Sequence, residues 1–101
     1  MPAELDGIGE RLRVARIEAG LTLRDAARFL EMVPSRLSDL EHDRQEPYIW
    51  HAERMYQVYG FFQARKIAGR DFTRSELDSL WDEYQTARRR ERFWRGSPRR
   101  A

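Results

Sequence analysis

The spacing of apolar residues predicts an all-α protein, and two observations carry that prediction. Between Thr22 and Glu41 the chain reads TLRDAARFLEMVPSRLSDLE, two short runs with apolar residues three and four apart and a break near residues 31–33. On either side, segments of helical periodicity recur, punctuated by Gly20, Pro47 and Gly60. A chain of 101 residues is one domain or a small domain with an appendage, and a helical core of this size can be stable alone.

The first helix is expected from about Gly7 to Ala19, with Ile8, Leu12, Ala15 and Ala19 on one face, Glu10, Arg11, Arg13 and Glu18 outside, and Gly20 as its stop. Thr22 then caps a second helix, with Asp25 three residues on to return the hydrogen bond and favour the positive helix end. Ala26, Ala27, Phe29 and Leu30 form its buried face. Pro34 is tolerated only in the first turn of a new helix and disfavours helix at Val33, so the break falls between the two runs. In the third helix Leu37 and Leu40 face inward, leaving Ser35, Arg36, Ser38, Asp39 and His42 outside. A polar loop, His42 to Pro47, leads to a fourth helix that Pro47 starts and Gly60 stops, with Ile49, Ala52, Met55, Tyr56 and Tyr59 inward. FFQARKIAGR then suits a short fifth helix whose Phe61, Phe62 and Ile67 close the core.

The Thr22–Glu41 stretch resembles the helix-turn-helix of the Cro/phage-repressor (XRE) family. With Leu23 as the first motif residue, the small fifth residue is Ala27, and the apolar fourth, eighth, tenth, fifteenth and eighteenth are Ala26, Leu30, Met32, Leu37 and Leu40. The fifth must be small because the next helix crosses closely there. Two glycines of the family are replaced, by Glu31 at the turn and Asp43 in the loop; Asp tolerates left-handed backbone better than Glu does. IGERLRVARIEAGLT resembles the family's opening helix, and by that resemblance Arg16 pairs with Glu41, tying first helix to third; two solvated charges are the alternative. The resemblance runs from about Ile8 to Phe61. It implies a five-helix repressor-like domain over residues 7–68, followed by an additional C-terminal helix and a basic tail.

That C-terminal helix is expected over 73–87, capped by Thr73 or Ser75, with Leu77, Leu80, Trp81, Tyr84 and Ala87 on one stripe. The stripe either packs on its own domain or forms a dimer contact. The tail, 88–101, carries seven Arg with Phe93 and Trp94 among them. It reads as a solvated end, or as phosphate contact with stacking.

Charge divides unevenly. Residues 1–60 hold 8 Arg against 11 Asp and Glu, net −3, and residues 61–101 hold 11 Lys and Arg against 6 acids, net +5. Cysteine is absent, which excludes disulfides and thiolate metal sites. With no apolar run near 20 residues and no signal-like N-terminus, a soluble, cytoplasmic protein without membrane association is expected. His42 and His51, nine apart, have no evident carboxylate or thiol partner and read as surface histidines; Asp78, Asp82 and Glu83 read as the wet side of a helix. No Gly-rich phosphate loop is present. The expectation is a non-enzyme with no cofactor and no metal.

The function implied by the resemblance is a sequence-specific DNA-binding transcriptional regulator, a repressor acting as a homodimer on a palindromic operator. Ser35, Arg36 and Asp39 are the base-reading candidates, since Arg can take guanine bidentately, Asp can accept from a cytosine amino group and Ser can do either. Thr22, Arg24, Ser38 and Arg44 are the phosphate candidates, and Leu77, Leu80, Trp81 and Tyr84 the dimer candidates. The alternative from a different class is a protein-binding module, an antitoxin or antirepressor partner whose acidic domain meets a basic protein, with the aromatic C-terminal helix as the interface.

Overall fold

A computed structural model describes residues 7–96 as five α-helices, with no strand among them. The helices are α1 (Ile8–Glu18), α2 (Leu23–Leu30), α3 (Pro34–Glu41), α4 (Ile49–Arg65) and α5 (Arg74–Gly96). The chain divides into two compact units, residues 1–71 and residues 72–101.

In the first unit α1, α2, α3 and α4 enclose one core. Leu12, Phe29, Leu37, Leu40, Met55, Val58, Tyr59 and Phe62 are wholly buried, and the rings of Phe29 and Phe62 stack at 5.2 Å. Thr22 caps α2 by accepting from the Asp25 N–H at 3.1 Å. Ala26 and Ala27 are both buried, and α2 packs closely on α3. Glu31 ends α2 at φ 58, ψ 45. The turn therefore keeps the left-handed geometry of a glycine although the residue is Glu, at a cost of roughly 1 kcal/mol.

The fourth helix departs from expectation in three ways. It starts at Ile49 rather than at Pro47, and it runs through Gly60 to Arg65, absorbing the short fifth helix expected in this unit. Its inner face is Met55, Val58, Tyr59 and Phe62, so the buried stripe is rotated from the one expected: Ile49 is 80% exposed and Tyr56 is exposed. Burying Phe62 against Phe29 outweighs the helix penalty of one glycine, about 1 kcal/mol. Ile67 is exposed and does not close the core.

One contact had no periodic signature. A Cβ at Gly9 would lie 2.4 Å from the Leu40 carbonyl oxygen and 2.7 Å from that of Glu41, so α1 crosses the end of α3 at backbone distance. Asp43, at φ 59, accepts from the Gly9 N–H through Oδ1 at 3.0 Å. The α3–α4 loop thus caps the first turn of α1, which has no local side-chain cap.

In the second unit α5 opens with a reciprocal cap. Glu76 N–H donates to Thr73 Oγ1 at 3.1 Å and Thr73 N–H donates to Glu76 Oε1 at 2.9 Å. The helix extends past Ala87 into the Arg-rich segment, as the high helix propensities of Arg and Glu allow. The end of the expected tail, residues 97–101, lies outside the described residues.

Candidate nucleic-acid interface

Pro34 at the first turn, after Val33 in extended backbone, sets the start of α3. With Leu37 and Leu40 wholly buried, the helix turns Ser35 outward, exposed, and leaves Ser38 and Asp39 half-buried. Asp39 does not pair with Arg36. It accepts from Arg44 Nε at 2.8 Å, while Arg44 Nη2 donates to Ser38 Oγ at 3.4 Å and the Arg44 N–H to the Asp39 carbonyl at 2.9 Å. A base-reading candidate and two phosphate candidates therefore form one cluster on the last turn of α3. The pair is substantially exposed and contributes at most ~1 kcal/mol to stability; its consequence is to hold the Arg44 guanidinium beside the helix.

Thr22 and Arg24 are exposed at the start of α2. The Thr22 oxygen accepts the cap bond, and its O–H stays free to donate to a phosphate.

Arg16 and Glu41 fix the position of α3 from behind. Arg16 Nε donates to Glu41 Oε2 at 2.6 Å and Nη2 to Oε1 at 3.0 Å, while Nη1 donates to the Leu21 carbonyl at 2.9 Å. The Glu41 side chain is 1% exposed and that of Arg16 12%. Burial, then the neighbouring Glu41 carboxylate, raises the pKa of Tyr59 well above the ordinary phenol value, with Arg16 opposing.

The third base-reading candidate, Arg36, does not join the Asp39–Arg44 cluster. Arg36, half-buried, is near His51 and Arg54 of α4: burial first, then Arg36, then Arg54 lowers the His51 pKa below 6.5. His51 is not the plain surface histidine expected. Its ring is half-buried and stacks on Trp50 with centroids 3.9 Å apart. Sequence reasoning missed His51 and Arg54 as site residues, because only the tertiary fold brings the start of α4 near Arg36. The one available signal was that Arg54 falls three residues after His51, on the same helical face.

The dimer candidates lie on α5 at spacings of three, one and three, and the Trp81 and Tyr84 rings stack at 5.3 Å. Arg88 Nη1 donates to the Tyr84 hydroxyl at 3.4 Å. No group of side chains able to hold a metal ion occurs among the described residues, and no described helix is long and apolar enough to cross a membrane.

A bihelical α2–α3 unit with a short turn, braced by α1 and α4 and presenting a polar α3 face, is the architecture of a helix-turn-helix domain. The family model described as helix-turn-helix domain matches residues 8–66. More than half of the chain is covered, and the chain belongs to that family, whose domain indicates a DNA-binding regulator. Neither the curated proteins nor the solved structures give a match.

Proposed function

We propose that this chain is a sequence-specific DNA-binding transcriptional regulator of the Cro/phage-repressor (XRE) type, a repressor that binds a palindromic operator as a homodimer. The observation that carries the reading is the two-sidedness of α3: Leu37, Leu40 and Glu41 are sealed inward, while Ser35, Ser38 and Asp39 line the outer side with Arg44 clipped alongside. Such a helix enters the major groove with its polar side toward base edges. Ser35 and Asp39 read bases, the latter by accepting from a cytosine amino group. Thr22, Arg24, Ser38 and Arg44 hold phosphate on either side, with the first N–H groups of α2. Arg36, turned toward α4, fits phosphate better than a base edge. Because residues 1–60 carry net −3, affinity rests on these few placed cations rather than on a general positive field. A homodimer is what a single short reading helix needs for a site of useful length; on the α5 stripe only Leu80 and Trp81 stay half-exposed to serve it, Leu77 and Tyr84 being buried within the chain.

The test is an anisotropy titration of the full chain with mixed-sequence duplex at two salt concentrations. Affinity falls steeply with salt if phosphates are contacted; absence of binding at low salt overturns the reading. A second reading is favoured by a cavity of about 380 Å³ lined by Ile8, Pro47, Ile49, Ala52 and Tyr56 with Glu46 and Glu53 at its edge. This site suits a basic, apolar segment of a partner protein, as in an antitoxin or antirepressor complex. Failure of duplex binding would make it the leading account.

A further inference from the structure

Three buried nitrogens, one on α3 and two in the first turns of α4, lack a partner, and the two arginines among them lie near enough to the imidazole to act on its charge. Arg36 Nε, His51 Nδ1 and Arg54 Nε are all buried without a hydrogen-bond partner. None of these side chains joins an ion pair among the described residues. The groups facing the imidazole are Arg36 from α3, Arg54 from its own helix, and the rings of Trp50 at 3.9 Å and Tyr48 at 6.0 Å. No acid is among them: Asp39, three residues after Arg36, is paired with Arg44 instead. Burial first, and then the two guanidiniums, disfavours the charged imidazole in the free protein. An oxyanion would reverse that balance. The start of α4 adds to the same demand, because Tyr48 provides no side-chain cap and the first N–H groups of the helix lack intrahelical acceptors. Tyr48, 63% exposed, and Trp50, 58% exposed, flank the cluster with flat apolar surface.

We propose that Arg36, His51 and Arg54 form a binding site for one oxyanion, a backbone phosphate of duplex DNA beside the groove that α3 enters, and that His51 takes up a proton from solvent as the phosphate seats. The inference rests on the DNA-binding reading for the source of the phosphate. The phosphodiester carries one negative charge and no proton at neutral pH, so the added proton resides on His51, whose two ring nitrogens are then both donors. Affinity for duplex rises as the pH falls through the imidazole range. Acidification has the opposite sign for the free chain: a histidine whose folded pKa is lowered contributes stability that is present above its ordinary value of 6.5 and is lost as the pH falls through the folded pKa.

The experiment follows the His51 ring resonances of the full chain by NMR while pH is varied, alone, with a duplex oligonucleotide and with sodium phosphate, and measures duplex affinity over the same range. Expected are an upward shift of the His51 pKa in the duplex complex and an affinity gain of up to about tenfold per pH unit lowered, the limit for one linked proton. His51→Gln flattens that dependence, while His42→Gln keeps it. Arg54→Gln reduces the slope of affinity against salt by about one unit. Duplex binding with unmoved His51 resonances and an unchanged pH dependence in His51→Gln refutes the site and leaves the DNA-binding reading standing. A His51 response to sodium phosphate in a chain that binds no duplex at low salt refutes the DNA source, and the proposed function with it.

Discussion

Replacing Arg16 with Met tests how α3 is held. The substitution removes two charge-assisted hydrogen bonds, at 2.6 and 3.0 Å, from a Glu41 side chain that is 1% exposed. It also takes the 2.9 Å donor from the Leu21 carbonyl. A carboxylate stranded at such depth costs about 3–5 kcal/mol. For a unit of this size the whole stability is expected to be roughly 3–10 kcal/mol, so Arg16→Met removes about a third of it or more. The reverse substitution is milder. Arg16 is 12% exposed and keeps its bond to Leu21, so in Glu41→Met its guanidinium can reach water, and the loss is smaller than for Arg16→Met. Combining the two restores part of the loss, with a coupling of about 2 kcal/mol or more. Urea unfolding followed by circular dichroism and tryptophan fluorescence measures all three. If Arg16→Met costs less than about 1 kcal/mol, or the two losses simply add, the pair does not brace α3 as argued.

Tyr59→Phe removes a buried hydroxyl that lacks a partner and should be neutral or stabilising by about 1 kcal/mol; a loss above that in urea unfolding would mean that the hydroxyl is bonded in solution. Glu31→Gly relieves the left-handed turn at φ 58 and, after the extra entropy of the unfolded chain, should be neutral or gain up to about 0.6 kcal/mol; a loss above about 0.5 kcal/mol contradicts the turn geometry. The two helical glycines should respond oppositely in thermal melts. Gly60→Ala adds a Cβ with nothing within 4 Å and stabilises by about 0.5–1 kcal/mol, whereas Gly9→Ala drives a Cβ against two backbone oxygens and costs about 1–3 kcal/mol. Equal responses would mean that α1 does not approach α3 so closely.

The α2–α3 unit was legible because every residue it buries from Ala26 to Leu40 sits at helical spacing, and because Thr22 and Pro34 mark helix starts by their own chemistry. Legibility fell where packing, not local preference, decided. Gly60 is a stop by propensity, but Phe62 has Phe29 to stack on, and the helix continues. Ile49 and Tyr56 are as apolar as Val58 and Phe62, and only the direction from which the core approaches α4 selects between the two faces. The pairing of Arg16 with Glu41, 25 residues apart, could be expected only from resemblance. The proximity of Arg36, His51 and Arg54 had no such guide, since no local rule links the first two turns of α4 to the first turn of α3. Asp39 is a similar case: it shares a face with Arg36 at three-residue spacing, yet the turn after α3 brings Arg44 back onto it.

The central claim is that the outer side of α3 reads DNA sequence. Selection of bound sequences from a random duplex pool, run in parallel on wild type, Ser35→Ala and Asp39→Asn, tests it most directly. Wild type should enrich a two-fold symmetric site with half-sites about one helical turn apart. Each variant should relax preference at one symmetric position, by about 1–3 kcal/mol against the favoured base, and Asp39→Asn should bind non-specific duplex more tightly because a negative charge beside the groove is gone. Enrichment of no sequence by wild type, or unchanged preference at every position in both variants, would contradict the claim.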